Sequence, residues 1–131
     1  MKGDTAATTS SEVKVLPMKV NIWNGKVTYT AVAQFLSHIS YYYPQRADDY
    51  TLEHEQLHFD ITELFARKIR KVIQQKGPMF PRDAQKLFTI YLEELEAWQD
   101  TFDNETEHGI KTEEQLRWKI LLSNQLKEFE N

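Results

Sequence analysis

The sequence has no cysteine, only four glycines and four prolines, and no long apolar run. Without cysteine the chain can form neither a disulfide nor a thiolate zinc site, so a bound metal would need histidine and carboxylate ligands. No apolar stretch approaches the ~20 residues that a membrane-spanning helix requires. We therefore expect no membrane span.

The charge balance gives no sign of a nucleic-acid partner. The formal net charge is −4, and 40% of the residues are hydrophobic, as in ordinary soluble domains. The densest basic cluster, at residues 67–71, falls near an expected helix C-terminus, where cations complement the helix dipole. A solvated helix face explains this cluster without nucleic acid.

The first twelve residues are small and polar and lack the apolar core of a signal peptide. They are expected to form a flexible leader, or to be the start of a mature exported chain. Residues 13–131 are expected to form a single domain.

Alternating apolar residues from Val13 to Tyr29, interrupted by Asn24-Gly25, predict a β-hairpin. Residues 31–37 fit either a short helix or a continuing strand, and residues 39–43 are β-prone. Helical spacing then predicts helices over residues 49–76, over residues 81–107 and from Thr112 onward. The expected fold class is α+β, with a small N-terminal hairpin or sheet packed on about three helices.

Turn and capping signals refine the helix boundaries. Gly77-Pro78 is a stop signal, Pro81 suits a first helical turn, and Gly109 is typical of a C-cap. Thr112 with Gln115 resembles a capping box. The apolar stripe of the second helix is predicted to contain Leu87, Ile90, Tyr91, Leu95, Trp98 and Phe102, and that of the third Leu116, Ile120, Leu121, Leu122, Leu126 and Phe129.

Residues 54–58 form an H-E-x-x-H sequence inside the first predicted helix. His54 and His58, at i and i+4, share a helix face and can converge on one cation, while Glu55 can act as a general base. Chance would produce this pattern in about one such chain in a hundred. The alternative is two histidines on the polar face of an amphipathic helix.

A catalytic zinc site needs a third protein ligand, and the sequence offers either His108 or a glutamate of the second helix, Glu93, Glu94 or Glu96. Counted from the turn near Gly77, His108 overshoots the level of His58 by about 18 Å if both helices are straight. Glu94 matches that level and lies on the predicted apolar side of its helix. The residues alone leave the choice open, and a C-terminal histidine that satisfies free helix carbonyls is the alternative role for His108.

Two segments together resemble a known family. His54-Glu55-Gln56-Leu57-His58-Phe59-Asp60 and the later Asp103-Asn104-Glu105-Thr106-Glu107-His108-Gly109 are similar to a bacterial family of unknown function, described as candidate zinc-dependent proteases. The resemblance covers residues 50–118. It implies that zinc is held by His54, His58 and His108, and that the protein is exported to the periplasm or cell envelope.

Other polar residues near these segments are candidates for supporting roles. Asp60, Asp103 and Thr106 could orient the imidazole N–H groups of the ligands, although capping or surface positions explain them equally well. His38 and one of Tyr41, Tyr42 and Tyr43 could contact substrate, against the alternative of strand packing.

The leading hypothesis is a zinc-dependent metallopeptidase that acts on a peptide or protein substrate, with Glu55 as general base. The alternative is a non-catalytic metal-binding or interaction domain that keeps the H-E-x-x-H helix as a structural site. A helical domain without metal is the third possibility.

Overall fold

The computed structural model of the chain describes residues 7–8, 11–35, 41–42 and 49–130. Two short antiparallel sheets precede three helices, which confirms the α+β class predicted from the sequence. The strands are β1 (Ala7–Thr8), β2 (Ser11–Val20), β3 (Val27–Phe35) and β4 (Tyr41–Tyr42), and the helices are α1 (Asp49–Lys76), α2 (Pro81–Thr106) and α3 (Thr112–Glu128).

The predicted β-hairpin is formed by β2 and β3. Gly25 has a φ of 76° in the connecting turn, a left-handed conformation that glycine adopts without a Cβ penalty. β2 begins at Ser11, so it includes the last two residues of the stretch expected to be a leader, while β1 pairs with β4. β3 continues to Phe35 and gives residues 31–35 a strand conformation. Residues 36–40 and 43 lie outside the described residues.

Helix α1 has the bounds predicted from its periodicity and is the central element of the core. One face of the hairpin, including Val13 and Ala31, packs against it, and α2 and α3 cover its other sides. Gly77 ends the helix with its N–H bonded to the carbonyl of Ile73 at 2.9 Å. No helix among the described residues has an apolar stretch long enough to cross a membrane. The buried side chains of α1 are His54, Leu57, Ile61, Thr62, Leu64, Phe65, Ala66, Ile69 and Ile73.

The predicted apolar stripes of α2 and α3 are partly wrong. Ile90 in α2 and both Leu116 and Ile120 in α3 are exposed. In α3 the buried residues are Gln115, Trp118 and the predicted Leu122, at i, i+3 and i+7. The predicted Leu121, Leu126 and Phe129 pack against the core and are partly buried. The stripe was chosen by hydrophobicity alone, so it left out the buried Gln115. The predicted buried face of α3 was therefore shifted around the helix axis.

The segment between α2 and α3 also differs from its prediction. Helix α2 ends at Thr106, and Glu107 is its left-handed C-cap residue, with a φ of 49°. Thr112 is the first residue of α3 and its N-cap is Lys111, which makes no side-chain capping bond. The capping-box prediction is therefore wrong. Gln115 is buried, and its side chain bonds to His54 rather than to the helix N-terminus.

Candidate metal centre

The two histidines of the H-E-x-x-H sequence face α2 at matching levels. His54 lies as far before the end of α1 at Lys76 as Asp103 lies after the start of α2 at Pro81. The same correspondence relates His58 to Gln99. Because both helices rise by ~1.5 Å per residue, residues equally far from the connecting turn come to the same level.

The side chains of His54, His58 and Asp103 form one compact group. The Oδ1 oxygen of Asp103 lies 2.7 Å from Nε2 of His58 and 3.1 Å from Nε2 of His54. The three potential ligand atoms lie within 4.8 Å of one another. Two imidazole nitrogens and one carboxylate oxygen form a ligand set that zinc accepts, so the chemistry of the group fits a divalent metal.

The other ring nitrogen of each histidine contacts an amide oxygen. Nδ1 of His54 lies 2.8 Å from Oε1 of Gln115, and Nδ1 of His58 lies 2.6 Å from Oε1 of Gln99. An amide oxygen only accepts hydrogen bonds, so each Nδ1 carries a proton and donates it. Both rings therefore present their Nε2 atoms to Asp103.

The orientation of each amide follows from its own partners. Nε2 of Gln99 donates to the backbone carbonyl of His58 at 3.0 Å and to Oγ1 of Thr62 at 2.9 Å. Nε2 of Gln115 donates to Oε1 of Glu53 at 3.3 Å. A flipped amide would bring its oxygen against a carbonyl or carboxylate oxygen, which cannot donate. The amide oxygens are thus directed to the histidines by a hydrogen-bond network that extends beyond them.

This network determines what can lie between the two Nε2 atoms and Asp103. With the first proton on Nδ1, Nε2 carries either a lone pair or a second proton. A lone pair directed at a carboxylate oxygen is repulsive. The arrangement is favourable when the imidazoles are doubly protonated or when a cation is bound by the three atoms.

The charges of the group reinforce one another. Burial alone would lower the pKa of His58, but the hydrogen bond and charge of Asp103 raise it overall, with smaller contributions from Gln99 and the charge of Glu55. Burial would also raise the pKa of Asp103, yet hydrogen bonds from His54 and His58 hold it well below its ordinary value. Asp103 is therefore a stable negative charge facing both Nε2 atoms.

Apolar and backbone atoms enclose His54, which is only 4% exposed. Its ring stacks on Phe102 with the ring centroids 4.6 Å apart. On the loop after α2, a Cβ added to Gly109 would lie 3.2 Å from both Cγ and Nδ1 of His54, and the φ of Gly109 is 95°. Only glycine fits this close approach without strain.

The third ligand candidates from the sequence lie in different surroundings. His108 is at the solvent edge of the group, with a side chain 78% exposed and its Nδ1 3.8 Å from Oδ1 of Asp103. Glu94 is exposed on α2 and lines a cavity of about 310 Å³ together with Lys68 and Lys71. The structure thus brings Asp103 together with the two histidines, brings His108 to their edge, and does not bring Glu94 to them.

Glu55 and the predicted supporting residues occupy four distinct positions. Glu55 is half-buried and acts electrostatically on His58. Asp103 contacts the histidines directly. Thr106 is fully buried, donates to the carbonyl of Phe102 at 2.7 Å and accepts from the N–H of Gly109 at 3.3 Å, so it holds the loop against His54. Asp60 accepts from Gln56 at 2.9 Å. His38, Tyr43 and the side chains of Tyr41 and Tyr42 lie outside the described residues.

Sequence reasoning missed Gln99, assigned Gln115 a capping role instead of a contact with His54, and missed the Glu53–Lys119 pair that lies behind Gln115. Gln99 and Gln115 orient the imidazoles, and Glu53, which accepts from Gln115, also accepts from Lys119 at 2.7 Å. The usable signal was the equal distance of His58 and Gln99 from the helix ends. The sequence marked Gln115 only as a capping residue, because nothing in it shows how α3 is aligned against α1.

Fold and site together define an α+β domain whose first helix presents two histidines to a carboxylate on the second. The family model described as "Bacterial protein of unknown function (DUF922)" matches residues 2–109, and the chain belongs to this family. A bacterial family of unknown function is thus confirmed, as the two motifs predicted, although the match covers residues 2–109 rather than 50–118. The matched residues contain the whole His54, His58 and Asp103 group and end before Gln115. No curated protein and no solved structure matches the chain.

Proposed function

We propose that this protein is a zinc-dependent hydrolase of peptide bonds, with Nε2 of His54, Nε2 of His58 and the Asp103 carboxylate as zinc ligands. The observation that carries the proposal is the pair of Nδ1–H bonds to Gln115 and Gln99. Histidines that bind metals regularly donate the other ring N–H to an oxygen, which fixes the tautomer and the ring orientation. Two histidines on a solvated helix face have no need of two oriented amides.

Asp103 is proposed as the third protein ligand because its Oδ1 already contacts both histidines. His108, which the family resemblance implies as third ligand, is assigned to the open side of the group, since its side chain is largely in solvent 3.8 Å from that oxygen. Glu94 takes no part in the proposed site.

The proposed reaction assigns separate roles to the zinc ion, to Glu55 and to Asp103. A bound zinc ion would supply a Lewis acid that lowers the pKa of water and polarises the scissile carbonyl. Glu55 takes the proton of the attacking water and delivers it to the leaving amine nitrogen, which returns Glu55 to its ionised form. Asp103 would stay ionised throughout as a zinc ligand, because a cation beside a carboxylate favours its charged form.

A non-catalytic metal site is the second candidate, and the enclosure of His54 by Phe102 and Gly109 favours it. A structural site is closed by protein ligands, whereas catalysis needs an open coordination position. A metal-free network of charged imidazoles around Asp103 is the third candidate, favoured by the raised pKa of His58.

The three candidates differ in metal content and activity. We expect about one zinc per chain by elemental analysis in the wild type and in Glu55→Gln, and none in His58→Ala. Cleavage of unfolded casein should be present in the wild type and at least about a hundredfold weaker in Glu55→Gln. Glu96→Gln, at an exposed carboxylate of α2, is the matched control and should leave both readouts unchanged.

Each of the other outcomes supports a different candidate. Zinc that stays bound without proteolysis in the wild type indicates the structural site. A wild type without metal, whose melting temperature a chelator leaves unchanged, contradicts both metal proposals and supports the charged network.

A further inference from the structure

The end of the molecule opposite the histidines carries an exposed apolar surface. The hairpin tip, residues 18–26, exposes Trp23 by 92% and Ile22 by 83%, and Met18 and Val20 on β2 are also exposed. Phe80 joins this surface, because Val27 next to the tip pairs with Met79. Soluble proteins rarely gather large apolar side chains in this way without a partner that covers them.

The backbone of the hairpin tip is already hydrogen-bonded within itself. Oδ1 of Asn21 accepts from the N–H groups of Trp23 and Asn24 at 2.9 and 3.3 Å. Oδ1 of Asn24 accepts from the N–H of Lys26 at 2.9 Å, and Asn21 exchanges backbone bonds of 2.8 Å with Gly25 and Lys26. Five backbone N–H donors of the turn therefore have partners, so moving the turn out of water leaves few of its N–H groups unpaired.

The charge around the tip is positive although the whole chain is acidic. Residues 13–35 contain Lys14, Lys19 and Lys26 and no acidic residue, against a net charge of −4 for the chain. Nζ of Lys26 lies 5.3 Å from the centre of the Phe80 ring, so charge and apolar surface are adjacent. The neighbouring turn from α1 to α2 adds Lys76 and Arg82, with Asp83 as the acidic residue beside them.

The acidic residues concentrate at the other end of the helices. Residues 93–114 contain nine acidic residues and a single basic one, Lys111. A surface that bears negative charge would therefore attract the tip and repel the end that carries the histidines. This uneven distribution of charge would both attract the protein to an anionic surface and orient it with the tip toward that surface.

We infer that the hairpin tip docks on an anionic phospholipid surface, with Trp23 and Ile22 entering the headgroup region and Lys19 and Lys26 contacting lipid phosphates. Tryptophan favours this interface because its ring is amphipathic, and each lysine near an anionic membrane adds to the attraction. An apolar site on a protein partner would explain the exposed side chains but not the lysines beside them or the acidic residues at the other end. Docked in this way, the chain would hold the histidines about 27 Å from the surface along α1.

Sedimentation with lipid vesicles tests the apolar part of the proposal. The wild type should partition onto phosphatidylglycerol–phosphatidylcholine vesicles about tenfold more strongly than onto pure phosphatidylcholine. The double variant Ile22→Ser with Trp23→Ser should lose about tenfold or more of that partition. Ile90→Ser, at an isoleucine of α2 that is 64% exposed, is the matched control and should stay within about twofold of the wild type.

Separate measurements test the contribution of the lysines and the insertion of Trp23 into the lipid. Lys19→Glu should weaken binding to the anionic vesicles about tenfold, whereas Lys127→Glu, in the last turn of α3, should have little effect. Tryptophan emission should move to shorter wavelength on binding and be quenched by brominated lipids, and Trp23→Phe should remove both changes.

Three results would overturn the inference. One is a wild type that does not bind anionic vesicles, and another is equal binding by the wild type and the Ile22→Ser, Trp23→Ser variant. The third is a dimer in sedimentation velocity that this double variant abolishes, without vesicle binding, since the tip would then cover a second copy of the chain. None of these readouts depends on metal binding.

Discussion

The two ends of the α1–α2 pair are ordered in opposite ways. At the candidate metal centre, polar side chains are buried or half-buried and are held by residues distant in sequence, as His54 is by Gln115 and Asp103. At the hairpin tip, apolar side chains are exposed, and order comes from bonds within a single turn. Substitutions at the candidate metal centre should therefore affect stability and metal binding together, whereas substitutions of the exposed apolar side chains at the tip should affect neither folding nor metal binding.

The largest expected effect is that of Asp103→Asn on zinc affinity. The neutral amide removes the negative charge that faces both Nε2 atoms, so the zinc dissociation constant should rise by more than about a hundredfold. Competition with a chromophoric chelator measures this. Asp100→Asn, at an exposed carboxylate of α2, should change affinity by less than about twofold. If both variants lost zinc affinity equally, Asp103 would act only through its negative charge and not as a ligand.

Gln99→Met should weaken zinc binding by about 10- to 100-fold, since the Nδ1–H of His58 loses its acceptor while the metal ligands stay in place. The variant should also lower the free energy of unfolding by about 1–3 kcal/mol, because it leaves Nδ1–H of His58 unpaired. Gln85→Met, on an exposed face of α2, is the control. An unchanged zinc titration curve for Gln99→Met would contradict the orienting role.

Local signals in the sequence were sufficient for the elements and for the pairing of His54 and His58 on one face of α1. Apolar spacing from Leu57 to Ile73 predicted α1 within its observed bounds, and Asn24-Gly25 predicted the hairpin turn. The i, i+4 spacing put His54 and His58 on one face, and helical geometry alone makes that inference safe. These features depend on interactions within one element.

The rest of the candidate metal centre depends on how different elements pack against one another. The expected 18 Å overshoot of His108 used Gly77 as the turn, whereas α2 begins only at Pro81, so the helices match through Asp103 and Gln99. Gln115 was assigned to a capping box because its side-chain chemistry suits one, and tertiary burial beside His54 prevailed. Residues that bind across helices carry no local pattern of their own.

Substitution of one glycine at each end, Gly109 beside His54 and Gly25 in the hairpin turn, compares the two ends directly. Gly109→Ala should destabilise the protein by about 2 kcal/mol, since a positive φ is combined with a Cβ that meets the His54 ring. Gly25→Ala has open space around its Cβ, so it should cost about 1 kcal/mol from the backbone alone. Urea denaturation of both variants measures the difference. Zinc affinity should fall in Gly109→Ala only, and a similar fall in Gly25→Ala would contradict the separation of the two ends.

The stability of the metal-free protein should depend on pH through His58 and Asp103. A raised pKa for His58 means that its contribution is complete below its unfolded value of about 6.5 and is lost as pH rises through the folded pKa. A lowered pKa for Asp103 means that its contribution is present above about 4 and is lost on acidification. Thermal unfolding after chelation should therefore show maximal stability between these values. With zinc bound, the alkaline decline should disappear, because the metal replaces the protons.

The smallest expected effect is that of the Ile22→Ser, Trp23→Ser variant on folding and metal binding. Both side chains project into solvent, so removing them creates no cavity, and the free energy of unfolding should change by no more than about 0.5 kcal/mol. Zinc affinity should equal that of the wild type, since the tip contributes no bond to the histidine network. If urea denaturation showed that the free energy of unfolding falls by more than about 1 kcal/mol, these side chains would stabilise the fold. Their exposure would then need no explanation by vesicle binding. Unchanged stability together with lost vesicle binding would instead show that the two ends have separate roles. One end would hold buried polar groups in place, and the other would present apolar side chains to a lipid surface.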